Sequence, residues 1–167
     1  MITVAGVAEN VVGLVFVNAY ALEEGESLAE LQGGFPDSAL AANLVYSPYP
    51  VDGSAEPGTD VSVDVAAFPD VFAGGVAEKA ARVLAVSQRP LASVAFGEPA
   101  SAAAWKTKPG WGIVSTSDHT INPEVERFGY KRAGLRKVVE LESSHLVMLT
   151  HPSEVAQLIT GAIAELG

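Results

Sequence analysis

From residue 111 to the end of the chain, a short apolar run gives way to a helix-like segment, and the pattern then repeats. The first run is "GIVS" at 112 to 115, with Trp111 at its possible start, and the second is "KVVEL" at 137 to 141. Between them lies "NPEVERFGYKRAG". Pro123 suits a first helical turn, Glu124 and Glu126 favour the positive N-terminal end of a helix, and Lys131 and Arg132 favour the C-terminal end before Gly134. After the second run, Pro152 opens a segment in which Val155, Leu158, Ile159, Ala162, Ile163 and Leu166 recur on one helical face. Strand, helix, strand, helix predicts parallel βαβ units of an α/β fold, with right-handed crossovers setting the strands side by side.

A third strand is predicted near the start. "VVGLVFV", residues 11 to 17, is continuously apolar and does not alternate, so both of its faces should be covered, as in a parallel sheet. The stretch from about 21 to 105 differs in character. It opens acidic with "LEEGESLAELQGG", turns Pro- and Gly-rich in "YSPYPVDGSAEPGTD", and continues with the helical "GVAEKAARVLAVSQ". That is far longer than the few residues of an ordinary connection, and it reads as a lobe inserted between two sheet strands. The 167 residues suit one domain.

Composition removes several classes of function. Ten basic residues against twenty acidic ones, a net charge of −10, argue against a phosphate-backbone partner such as nucleic acid. No cysteine is present, which excludes disulfides, thiolate metal sites and a cysteine nucleophile. Glu9 and Asn10 interrupt the N-terminal apolar stretch before it could span a bilayer, and no basic segment precedes it as in a signal peptide. The expectation is a cytoplasmic protein with no membrane partner.

Ligands of parallel sheets gather at the carboxyl ends of the strands. Three polar residues fall there: Asn18, Asp118 and His145. Asp118 and His145 follow successive strands, and a carboxylate so placed can hold an imidazole in one tautomer. An Asp ahead of "HTINPE" can also serve loop or helix N-terminal amides, and a loop histidine can be purely structural. His151, before Pro152, falls at a helix N-cap and is expected to be structural. His119 is expected to face solvent. No His-Glu-x-x-His pattern occurs, so metal binding is not expected. Trp105 and Trp111 are expected to pack against the sheet or the lobe.

"STSDHTINPEVERFGYKRAG" followed by "VVELESSHLVMLTHPSEVAQLI" closely resembles the last two strand–helix units of α/β-hydrolases. The His-x-x-Met-Leu-x-x-Pro pattern from His145 to Pro152 is similar to the esterase branch that includes plant methylesterases and hydroxynitrile lyases. The resemblance covers nearly the whole chain and is most specific at 111 to 123 and 142 to 159. It implies Asp118 as the acid and His145 as the base of a Ser-His-Asp triad, and a small carboxylic ester as substrate. It also implies that residues 1 to 21 supply a helix and a sheet strand, 22 to 105 a helical cap, and 106 to 167 the units carrying acid and base.

The sequence departs from that family at one point. Those enzymes carry their nucleophile on a Gly-x-Ser-x-Gly elbow, and none occurs here. "MITVAGVAEN" resembles the helix that directly follows the elbow, so the expectation is a partial hydrolase domain that is inactive alone. The alternatives are a non-catalytic remnant or interaction module, and a lyase of the same fold. An unpartnered edge on the first strand would then invite self-association. "GESLA" offers Ser27 in the right order before Asp118 and His145. Three nearby glutamates would oppose an oxyanion, however, and an N-cap for "LAELQ" is the better reading.

Overall fold

The computed structural model describes residues 2–167. The chain runs through α1 (Ile2–Ala5), β1 (Leu14–Val17), α2 (Leu28–Gly33), β2 (Leu44–Tyr49), β3 (Gly58–Val63), α3 (Phe68–Val71), α4 (Glu78–Val86) and β4 (Leu91–Ala92). It continues with β5 (Gly110–Ser115), α5 (Pro123–Arg132), β6 (Lys137–Leu141), α6 (Val147–Thr150) and α7 (Pro152–Leu166). None of the described helices is long and apolar enough to cross a membrane.

Strands β1, β5 and β6 form a parallel sheet in the order β1-β5-β6, with Leu14 opposite Gly110 and Trp111 opposite Lys137. Alternate side chains feed two separate cores. Leu14, Phe16 and Val114 pack with Tyr130 of α5 on one face. Trp111 and Ile113, with Val15 and Val17 beside them, pack with Val155, Leu158 and Ala162 of α7 on the other. The absence of alternation in "VVGLVFV" thus has its predicted cause, since each face of the strand meets protein. Phe16, Ile113 and Val114 are completely buried, and each such side chain contributes about 1.5–3 kcal/mol through lost apolar surface. Gly112 lets α5 approach closely, because a β-carbon there would lie 2.8 Å from the Tyr130 ring and 2.9 Å from Leu135.

The C-terminal units follow the sequence reading closely: β6 covers 137 to 141, and α5 and α7 begin at Pro123 and Pro152. Ladder pairing in the first strand starts only at Leu14, whose amide donates to Pro109 O, so Val11 to Gly13 lead into the strand without joining it.

The inserted lobe holds the expected helices and also an antiparallel sheet that the sequence reading did not anticipate. Its order is β2-β3-β4, with Leu44 opposite Val63 and Tyr49 opposite Gly58. The Gln88 side chain closes the end of β3, accepting from Val63 N at 2.8 Å and donating to Val63 O at 2.9 Å. Val63, Phe68, Ala73, Ala81 and Ala85 give the lobe a small core of its own.

Candidate active site

The loops after β5 and β6 lie side by side because the two strands are neighbours. Their backbones are joined just beyond the sheet, where Thr116 N donates to Leu141 O at 2.9 Å and Ser117 N to Ser143 O at 3.1 Å. Asp118 is next in the first loop, and its side chain is fully enclosed. One carboxylate oxygen accepts the amides of Thr120 at 2.7 Å and Ile121 at 3.1 Å. The other lies 2.7 Å from His145 Nδ1. The two roles left open by the sequence are therefore both filled, one by each oxygen. A carboxylate can only accept, so Nδ1 donates in this contact, and in the neutral imidazole Nε2 is then the nitrogen with the free lone pair. The His145 side chain remains 17% exposed, enough to leave the imidazole an approach from outside.

Asn18 follows β1 and ties the last residue of β5 to the loop after β6. Its amide nitrogen donates to Ser115 Oγ at 2.8 Å and to the His145 carbonyl at 2.7 Å, and its side-chain oxygen accepts Ser115 N at 3.0 Å. Asn18 is buried, with φ of +46°, a left-handed conformation that asparagine tolerates better than most residues. Replacing it with alanine takes these partners from the buried Ser115 amide and hydroxyl and from the part-buried His145 carbonyl, and keeps the unfavourable φ. The expected loss is about 3 kcal/mol, summed from unpaired groups of 1–3 kcal/mol each and the backbone term. Urea denaturation measures it, and a loss below about 1 kcal/mol would contradict this account of Asn18.

The lobe reaches both loops. Thr120 Oγ1 donates to Val71 O at 2.9 Å and Ser144 Oγ donates to Gly74 O at 2.5 Å. The Phe72 ring meets the His145 imidazole edge-on, with centroids 4.7 Å apart and planes at 68°. Asn18 was visible in the sequence as a polar strand end. Thr120, Ser144 and Phe72 were not, since nothing local marks a hydroxyl or a phenyl ring that acts across a fold.

The remaining candidates lie elsewhere or do other work. Ser27 caps α2 in a reciprocal box: its hydroxyl accepts Glu30 N at 3.2 Å, and the Glu30 carboxylate accepts Ser27 N at 2.8 Å. His151 occupies the N-cap position of α7, but its side chain makes no capping bond, and Nδ1 faces Thr150 Oγ1 at 3.0 Å. His119 is exposed, with Nδ1 3.3 Å from Asp70 O. Trp111 packs under α7, and Trp105 donates from its indole to Leu22 O at 2.7 Å. Among the described residues no three histidine or carboxylate side chains gather as metal ligands do.

Glu126 was expected only to favour the start of α5. Its neighbour Glu124 does so from the surface, paired with Arg127 at 2.6 Å. Glu126 instead points inward, completely buried, with no hydrogen-bond partner for either oxygen. Burial, and secondarily the negative charge of Asp118, pushes its carboxyl up to about 9. Glu126 is therefore neutral at pH 7.

No curated protein sequence matches the chain. Among solved structures, polyneuridine aldehyde esterase superposes with a TM-score of 0.76 at 17% identity, over 96% of this chain and 65% of its own. A methylesterase from Arabidopsis gives 0.70 at 13% identity, over 95% and 61%. A pyrethroid hydrolase from Sphingobium faniae gives 0.60 at 18%, over 90% and 60%. The chain thus spans roughly three fifths to two thirds of the length of these structures, and they share its fold, a parallel sheet flanked by helices. The sequence model of the alpha/beta hydrolase family matches residues 1–158, and this chain belongs to that family.

Proposed function

We propose that the chain carries the acid and the base of a serine-hydrolase site for small carboxylic esters, with Asp118 as acid and His145 as base. The observation that carries this reading is the 2.7 Å contact between Asp118 and His145 Nδ1 at the ends of neighbouring parallel strands. With Nδ1 tied to a carboxylate, Nε2 can accept the proton of a serine hydroxyl as the oxygen attacks the ester carbonyl. The same proton then goes to the leaving alcohol, and a water activated by His145 releases the acid. Every step is proton transfer and acyl transfer, so the reaction calls for no cofactor.

The 167 residues contain no Gly-x-Ser-x-Gly, so the scheme needs an elbow serine that they do not supply. The chain by itself is therefore expected to hydrolyse para-nitrophenyl acetate no faster than its His145→Ala variant. A burst that depends on His145 would overturn the assignment of the nucleophile and direct attention to Ser27. A second reading is a lyase of the same fold, in which His145 moves protons without a covalent intermediate, because a shared fold does not fix the reaction. Assays on cyanohydrins and on esters, with an elbow-bearing segment joined ahead of the chain, separate the two.

A further inference from the structure

A hydrogen bond at one ring nitrogen fixes a single point of an imidazole. The ring can still rock about that point, and rocking carries Nε2 away from any group it is to serve. In His145 the second constraint comes from the cap. The Phe72 ring stands edge-on to the imidazole at 4.7 Å. Phe72 is itself held by stacking on Phe68, with centroids 5.1 Å apart and planes within 16°. Phe68 is buried in the core of the cap. The backbone on either side of Phe72 is tied to the site loops, through Thr120 to Val71 O and through Ser144 to Gly74 O. Gly74 sits so close that a β-carbon there would lie 3.3 Å from Ser144 Cβ. The segment from 71 to 74 is thus fastened to the loop of Asp118 on one side and to the loop of His145 on the other, and Phe72 projects between the two fastenings.

We infer that Phe72 is a positioning residue for His145, setting the plane of the imidazole while Asp118 sets its tautomer. The inference rests on the reading of His145 as the base. It adds that the cap takes part in aligning the base as well as in enclosing a substrate. Aromatic edge contacts of this kind add to simple burial, so an aliphatic side chain of similar bulk is a poor substitute and tyrosine a good one.

The test uses the chain with histidine labelled by nitrogen-15 and follows the His145 Nδ1–H proton by NMR. In the parent chain this proton is expected as a resolved downfield signal that exchanges slowly with water. In Phe72→Ala its exchange is expected to quicken on the order of threefold to tenfold, as loss of an aromatic contact implies, while the amide spectrum stays dispersed. Phe72→Tyr is expected to restore the parent rate, an outcome that a general loosening of the cap does not produce. If Phe72→Ala lacks a folded spectrum, Phe72→Leu is read in its place, with the same quickening expected. An unchanged exchange rate in a folded Ala or Leu variant overturns the role of Phe72 and leaves the Asp118–His145 pair intact. Absence of the signal in the parent chain overturns the pair itself, and the role of Phe72 with it.

Discussion

Once an upstream segment bearing an elbow serine is joined to the chain, His145→Ala is expected to lower ester turnover by about a thousandfold or more, as loss of the base from such a triad does. Asp118→Asn is expected to be of similar severity for a different reason. The amide can donate where the carboxylate only accepts, so the imidazole is driven to the opposite tautomer and Nε2 loses its free lone pair. His151→Ala serves as the control, with turnover within a few-fold of the parent. Its stability should change little, because His151 makes no side-chain cap to lose. Steady-state kinetics on a short acyl ester, with circular dichroism to confirm folding, decide the matter. Loss of turnover in His151→Ala together with its retention in His145→Ala would reverse the assignment.

The second large effect concerns pH and stability rather than turnover. Glu126 has a folded-state pKa of about 9 against an ordinary value of 4.5. A carboxyl raised on folding binds its proton more tightly in the native state. Its contribution is therefore whole below about pH 4.5 and is lost as the pH climbs towards 9. The slope approaches 1.4 kcal/mol per pH unit, so several kcal/mol are at stake by pH 8. At Glu26 burial works against ionisation, but hydrogen bonds from Arg132 and the Glu23 backbone outweigh it and bring the carboxyl below its ordinary range. That contribution has the opposite sense and disappears as the pH falls. Stability is accordingly expected to peak in mildly acidic solution. Glu126→Gln keeps the shape of the side chain and removes the charge, so it should flatten the decline between pH 5 and 9 and leave the variant the more stable protein at pH 8. Urea titrations across that range measure both slopes. Parallel slopes for parent and variant would show that Glu126 is not the group responsible.

The parts of the fold visible in the sequence are those whose signals are local. The start of α5 is marked by Pro123 and Glu124 and its end by Lys131 and Arg132, while β6 shows as a short apolar run. The antiparallel sheet of the lobe was hidden for a physical reason. Pro48 lies within β2, where its missing amide would normally break a ladder, and it is accommodated because β2 is an edge strand. The flanking "YPVDGSAEPG" is dominated by turn formers, so the two short strands on either side of it read as loop. Within the site, the polar ends of β1, β5 and β6 could be named because a parallel sheet collects such residues at one edge. Burial of Glu126 could not, since its face of α5 is fixed by contacts with distant residues and a glutamate near a helix start has a sufficient local reason to be there. Phe72 is 73 positions from His145 in sequence, and only the folded lobe brings them together.

The hydroxyl bonds from Thr120 and Ser144 to carbonyls of the lobe bear on how such proteins can be recombined. A cap that touched its sheet only through apolar surface could be exchanged between relatives with little regard for the join. Here the segment from Val71 to Gly74 and the two loops at 118 to 121 and 143 to 145 are matched donor to acceptor. A chimaera that changes parent between Gly74 and Asp118 inherits one half of each pair from each side and risks leaving buried hydroxyls facing the wrong backbone. A junction placed ahead of Phe68 transfers the segment together with its partners. The lobe segment and the shape of the two loops then travel as one inherited block.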